Sequence, residues 1–193
     1  MKIYSRTGDD GTTGLFLGGR VPKNDLRCET NGEIDFAISA MGMARSLSKK
    51  DWTKNILLKI QRDLYTVSSE LAVDTEKYNS FKKDFITIDE NYVQRIEEWI
   101  DELTQMISIP NKFIIPGDSL ISSTLDLARS SIRTAERRIV ELQDEAKLNN
   151  QRILKYVNRV SDLLFTLARY EDSEISPTIV LNTKRNENTE SHD

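Results

Sequence analysis

The segment Arg6-Thr7-Gly8-Asp9-Asp10-Gly11-Thr12-Thr13-Gly14 combines backbone N–H groups left uncovered by glycine, hydroxyl donors and an arginine. That combination can cradle phosphate oxygens, and it suits a mobile terminus or a plain glycine turn as well. Residues Gly14 to Val21 read G-x-x-x-x-G-R-V, the glycine spacing of a phosphate-binding P-loop. Arg20 and Val21 stand where that mechanism needs Lys and Ser or Thr, so a P-loop is excluded. A second cationic feature lies in the C-terminal half, where Arg129, Arg133 and Arg137 recur at i, i+4 and i+8 beside the apolar Ala128, Ile132 and Ala135. Three guanidinium groups on one helix flank repel by roughly 0.2–0.5 kcal/mol per pair, a cost that intramolecular carboxylates or a bound polyanion would reverse. Glu33, Asp35 and Glu136 are the carboxylates available for the first alternative. Asn158 and Asp162, at i and i+4, form a polar pair beside Val157 and Val160 that needs partners, either across a helix interface or on a ligand. Phe113, in Phe113-Ile114-Ile115-Pro116, reads by itself as an apolar plug for the core.

The residue types that are missing narrow the chemistry. The sole histidine, His192, lies in a polar tail, and the sole cysteine, Cys28, has no histidine to activate it. No His-based acid–base pair, activated thiol or zinc-type ligand set can be assembled, so catalysis would have to work by positioning and charge stabilisation. With 27 basic and 31 acidic residues the net charge is −4, which gives no reason to expect nucleic acid or an anionic membrane surface as a partner. Any anion site must therefore be local. A composition of 38% hydrophobic and 30% charged residues is that of a packed soluble domain. The start carries no apolar leader, no run is long enough for a membrane span, and the lone cysteine suits a reducing compartment, so a cytoplasmic location is expected.

The elements that would position these residues are helices. Gly8, Gly11, Gly14, Gly18 and Gly19 crowd the start, whereas no glycine or proline falls between Gly42 and Pro110 or from Asp118 to Ser176. Leu57, Ile60, Leu64, Val67 and Leu71 are spaced 3, 4, 3, 4, and Val93, Ile96, Ile100, Leu103 and Ile107 repeat that spacing. Ile121, Leu125, Ala128, Ile132, Ala135, Ile139 and Leu142 form a third seam, and Ile153, Val157, Val160, Leu164 and Leu167 a fourth. An earlier helix over about 31–49, with Asn31 as its N-cap and Ile34, Ile38 and Met41 inward, brings the total to five. The expectation is an all-α, five-helix bundle in one domain, residues 1–173, opened by a glycine-rich loop over 1–30. Connections are expected near 50, 74–90, 108–118 and 144–151, and 174–193 reads as a flexible tail.

Along about residues 1–172 the sequence resembles the ATP:cob(I)alamin adenosyltransferases of the propanediol-utilisation type. The resemblance rests on Ile3-Tyr4-Ser5-Arg6-Thr7-Gly8-Asp9-Asp10-Gly11-Thr12-Thr13, Gly19-Arg20-Val21-Pro22-Lys23, Gly32-Glu33-Ile34-Asp35 and Phe113-Ile114-Ile115-Pro116-Gly117. Two further blocks complete it, Ala128-Arg129 with Arg133 through Arg138, and Tyr156 through Phe165 ending at Ala168-Arg169. It implies a homotrimer with active sites between subunits, MgATP and reduced corrinoid as substrates, and transfer of the 5′-deoxyadenosyl group to cobalt with release of triphosphate. Carried over by position, Ser5, Arg6, Thr7, Gly8, Thr13, Gly14, Lys23, Arg133, Glu136, Arg137 and Asn158 would bind ATP, with Mg2+ held mainly by its phosphates. Arg133 and Lys23 would stabilise the leaving triphosphate. Asp35 and Arg129 would form a salt bridge that orients the intersubunit site, and Phe113 would sit against the corrin and help displace its lower axial ligand. A cob(II)alamin reductase and a cobalamin-dependent mutase or dehydratase are the implied partners. The alternative is a carrier or sensor of the same fold that binds nucleotide and corrinoid without turnover. Phe36-Ala37-Ile38-Ser39, Thr134 and Pro116-Gly117-Asp118 depart from the family pattern, and they bear on corrinoid and interface contacts rather than on nucleotide binding.

Overall fold

The computed structural model describes residues 3, 4 and 6–180. Five long helices carry the fold: α1 (Leu26–Leu47), α2 (Asp51–Leu71), α4 (Glu90–Met106), α5 (Leu120–Asp144) and α6 (Arg152–Glu171), with a short α3 (Tyr78–Asp84) after a 3-10 turn at Thr75–Lys77. Leu57, Ile60, Leu64 and Val67 on α2 are fully buried, as are Leu125, Ala128, Ile132, Ala135 and Ile139 on α5 and Val157, Val160, Leu164 and Leu167 on α6. The 3-4 spacing of apolar residues thus predicts the core directly, because each stripe is the face a helix turns to its neighbours. α5 lies between α1 and α6; α2 flanks α1 and α4 flanks α6. α1 and α5 run antiparallel, with Ser131 Oγ donating to the Glu33 carbonyl at 2.7 Å and Arg138 facing Glu29 at 3.5 Å.

Two buried carboxylates knit this arrangement. Asp63 of α2 accepts from Lys59, from Arg95 of α4 and, at 3.1 Å, from the Tyr156 hydroxyl of α6, so one anion ties three helices. Glu70, near the end of α2, accepts from the Tyr78 hydroxyl and the Ile88 N–H, both at 2.6 Å, and from the Asn150 amide at 2.9 Å. Burial and the Glu70 carboxylate together push the Tyr78 hydroxyl well above its ordinary pKa, which keeps it a donor.

Three expectations need correction. The first helix starts at Leu26, not near 31, because Asp25 rather than Asn31 is the N-cap and accepts the Arg27 N–H at 2.9 Å. The glycine-rich start is not wholly a loop: β1 (Thr12–Gly14) and β2 (Arg20–Pro22) pair antiparallel, with Thr13 opposite Val21. Beyond β1, Phe16 N–H donates to the Ala72 carbonyl at 2.9 Å, and its ring packs edge-on against Phe81 and Phe85 of the α3 region, at 5.7 and 5.0 Å between centroids. The third correction concerns the tail: residues 174–180 lie along the loop 113–118. Ile115 N–H donates to Thr178 O, Val180 N–H donates to Phe113 O, and the Thr178 hydroxyl and N–H both donate to the Asp118 carboxylate. The rest of the expected tail, with His192, lies outside the described residues.

Candidate functional site

The N-terminal ribbon is a built cradle. Lys23 N–H donates to Gly11 O at 2.9 Å and Gly11 N–H to Gly8 O at 3.2 Å, which folds the loop back on itself. Gly11 has φ +81°, a left-handed conformation that glycine takes without strain. A Cβ on Gly8 would come within 3.1 Å of Thr12 O and 3.2 Å of Lys23 Nζ, so the ammonium lies against the Gly8 backbone and a side chain there would have to push it aside. Arg20 clamps the loop from outside, donating to Thr7 O and, through Nε at 2.9 Å, to Thr12 Oγ1. Two donations from Thr12 and the nearby Arg20 cation hold the Asp10 carboxyl below its usual range. Arg6, Thr7, Gly8, Thr13, Gly14 and Lys23 all line one open cavity of about 360 Å³. Ser5 lies outside the described residues.

Arg20 was missed as a site residue by sequence reasoning, although it stands in Gly19-Arg20-Val21-Pro22-Lys23. It is the residue that excludes a P-loop, and its work is a side-chain clamp across eight residues that spacing alone does not reveal. The G-x-x-x-x-G run is the hairpin's end, closed by Leu15 N–H on Gly19 O at 3.0 Å.

The second group sits on the α5–α6 face. Asn158 Nδ2 donates to Glu136 Oε1 at 2.8 Å, and Asn158 Oδ1 accepts from Arg159 at 2.9 Å, while Arg159 also pairs with Glu97 at 2.8 Å. Arg137 donates to the Thr134 hydroxyl at 3.0 Å. Arg133 is exposed and enters no hydrogen bond or ion pair among the described residues. Asp162 keeps 56% of its side chain exposed, and partial desolvation raises its carboxyl above the ordinary pKa; the Arg159 cation opposes this, Glu136 adds to it, and Arg133 acts from nearby in the lowering direction.

The carboxylates expected to neutralise the arginine stripe do other things within the chain. Glu33 accepts from the Ser131 hydroxyl at 3.0 Å and Glu136 from Asn158. Arg129 pairs with Asp126 at 2.9 Å, and Asp126 also accepts from the buried Arg169 at 2.8 Å. The expected Asp35–Arg129 bridge is therefore not formed inside one chain: Ile34 and Ala37 take the inward face of α1, which leaves Asp35 exposed. Phe113 is not a core plug. It is 83% exposed and lines a cavity of about 350 Å³ with Phe165 and Val180. No hydrogen bond or ion pair among the described residues joins the ribbon to the Arg133 face.

Comparison with known proteins agrees with this arrangement. The sequence model of the family described as Cobalamin adenosyltransferase matches residues 3–171. The chain is 39% identical over 174 residues to the corrinoid adenosyltransferase PduO of Salmonella typhimurium, covering 90% of this chain but 51% of that protein, so it spans about half of that relative's length. It is 39% identical to the corrinoid adenosyltransferase of Bacillus subtilis over 88% of this chain and 86% of that one. Among solved structures, a variant of the PduO-type ATP:corrinoid adenosyltransferase from Lactobacillus reuteri, complexed with cobalamin and ATP, superposes with a TM-score of 0.85 at 33% identity, covering 94% of this chain and all of that one. A second variant of the Lactobacillus reuteri protein, complexed with ATP, gives 0.82 at 33% identity, covering 93% of this chain and 100% of that one. A glycine cradle under a lysine, a helix face with an unengaged arginine and an exposed loop phenylalanine, on this bundle and with this match, place the chain in the cobalamin adenosyltransferase family.

Proposed function

We propose that this chain transfers the 5′-deoxyadenosyl group of ATP to the cobalt of cob(I)alamin, forming adenosylcobalamin and triphosphate. The observation that carries the reading is the pairing of an anion cradle at Gly8–Lys23 with an unengaged Arg133, on a chain without histidine among its described residues. Reduced cobalt is itself the nucleophile, so no general base is needed. The Co–C bond forms as the C5′–O bond breaks, and the electron pair leaves with the triphosphate oxygen. The protein's part is to hold C5′ in line and to meet the growing negative charge with Lys23, Arg133 and loop N–H groups.

Arg6, Thr7, Gly8, Thr13, Gly14, Lys23, Glu136, Arg137 and Asn158 are the proposed nucleotide contacts, with Ser5 added from the sequence. Among the described residues no three His, Cys, Asp or Glu side chains gather as a metal ligand set. Mg2+ would therefore be held by phosphate oxygens. Phe113, exposed beside the cavity it lines with Phe165 and Val180, is the proposed corrin contact.

Among the described residues no hydrogen bond or ion pair joins the ribbon to the Arg133 face, which supports a homotrimer in which neighbouring subunits complete each site and Asp35 reaches Arg129 across the interface. We assign the enzyme to the cytoplasm, where a cob(II)alamin reductase would supply substrate and a mutase or dehydratase would take product. Melting curves and an anaerobic mixture with cob(I)alamin test the reading. MgATP protection together with light-sensitive product is the expected result. Protection without product would make the chain a carrier or sensor, and the absence of both would overturn either reading.

A further inference from the structure

Among the described residues Arg27 is a buried cation without a counter-ion. Its residue is 5% exposed, and no hydrogen bond or ion pair reaches its guanidinium among the described residues; Nε in particular is a buried donor with no acceptor. The flanking carboxylates are engaged elsewhere: Asp25 accepts the Arg27 backbone N–H as helix cap, and Glu29 faces Arg138. The location adds to the problem. Arg27 is in the first turn of the 22-residue α1, where unpaired backbone N–H groups already create positive potential. A largely buried charge placed there gains from a negative partner that the described residues do not supply.

The cavity that Arg27 lines indicates the kind of partner. It has a volume of about 440 Å³ and shares Thr13, Gly14 and Lys23 with the phosphate cradle. Asn31, one turn along α1 in the same wall, donates through Nδ2 to Ser68 O at 3.3 Å, while its Oδ1 is a buried acceptor with no donor. The cavity thus offers an unused cation and an unused acceptor next to the lysine of the cradle. A phosphate group satisfies the guanidinium with its oxygens, and a phosphate or ribose hydroxyl satisfies the amide oxygen.

We propose that Arg27 is a phosphate-binding residue, and that the cavity between the ribbon and α1 seats one phosphate of a polyphosphate chain whose remainder lies on the Gly8–Lys23 cradle. The identity of that chain, as ATP or its triphosphate product, rests on the adenosyltransferase reading; the phosphate chemistry does not.

Calorimetric titration of the full chain with MgATP, inorganic triphosphate and adenosine tests it. Arg27→Met should weaken MgATP and triphosphate by about tenfold or more, leave adenosine binding as in the parent, and raise the KM for ATP but not for corrinoid. Arg27→Gln, which keeps a polar head in the cavity, should show the same losses if the methionine variant does not fold. The ligand-free variant should melt no lower than the parent, since a buried unpaired charge is gone. Unchanged MgATP and triphosphate affinity would overturn the proposal. So would unchanged affinity with a lost assembly or a lowered melting point, which would make a carboxylate of a second copy the partner. Arg27-dependent triphosphate binding without any adenosylcobalamin would leave this inference standing and remove the enzyme reading, whereas turnover with an unaltered KM for ATP in both variants would do the reverse.

Discussion

Within its stripe Arg133 enters no hydrogen bond or ion pair among the described residues, whereas Arg129 pairs with Asp126 and Arg137 donates to the Thr134 hydroxyl. Arg133→Ala should lower the single-turnover rate by about 10²–10³, the range for removing one donor that acts on charge developing in the transition state. The fold should survive, since the side chain is exposed and enters no hydrogen bond or ion pair among the described residues. A near-parental rate in anaerobic stopped flow would remove the role assigned to it. Asp162 gives a pH-dependent counterpart. Its side chain stays 56% exposed, and partial desolvation raises the carboxyl modestly against the pull of Arg159, so the folded chain favours the neutral form somewhat more than the unfolded chain does. Ionising it works against folding once the pH rises through the carboxylate range, and the effect vanishes where the group is protonated in both states. Asp162→Asn should therefore melt no lower than the parent at pH 7, with any gain closing as the pH falls through about 4. A gain that grew on acidification, in calorimetry across that range, would contradict the sign.

At the scale of elements, the 174–180 segment acts as a strap on the Phe113 loop, latched by Thr178 on Asp118, whose carboxyl those bonds hold below its usual pKa. Asp118→Ala should raise the KM for corrinoid several-fold while leaving that for ATP alone, and it should expose the chain after Ser173 to protease. Equal effects on both substrates would show that the strap does not serve Phe113. Five helices were legible in the sequence because each carries an apolar stripe at 3-4 spacing, and two of their connections, 108–118 and 144–151, fall where proline, glycine or asparagine break it. The strap, the ribbon and α3 were not. Strands of three residues have no periodicity to read, α3 has one buried side chain, Phe81, and the strap is held by backbone bonds to a loop far away in sequence. The same limit applies within the site. Motifs marked Lys23, Arg133 and Asn158, but the Arg20 clamp, the Asp126–Arg169 pair and the lone charge of Arg27 are consequences of tertiary placement.

For the whole molecule, the open question is how one cradle meets one arginine face. α1 and α5 leave Phe36, Met43, Leu120 and Leu127 about half exposed or more, an apolar surface beside the exposed Asp35 and Arg133. Such a face suits burial between copies, and the proposed trimer has the ribbon of one subunit serve the α5–α6 face of the next. Complementation tests this: Lys23→Ala and Arg133→Ala chains, each nearly inactive, should regain activity when co-refolded, with roughly a quarter of the sites intact under random mixing in a cyclic trimer. No recovery would mean that both residues serve the same site within one chain.

The most direct measurement is the stoichiometry of the reaction itself. Purified protein, MgATP and chemically reduced cob(I)alamin are mixed without oxygen, the cob(I)alamin band is followed as it decays, and the phosphorus products are quantified. One triphosphate for each light-sensitive adenosylcobalamin formed is the predicted result. Decay without adenosylcobalamin, or release of ADP and phosphate in place of triphosphate, would contradict adenosyl transfer as the function of this site.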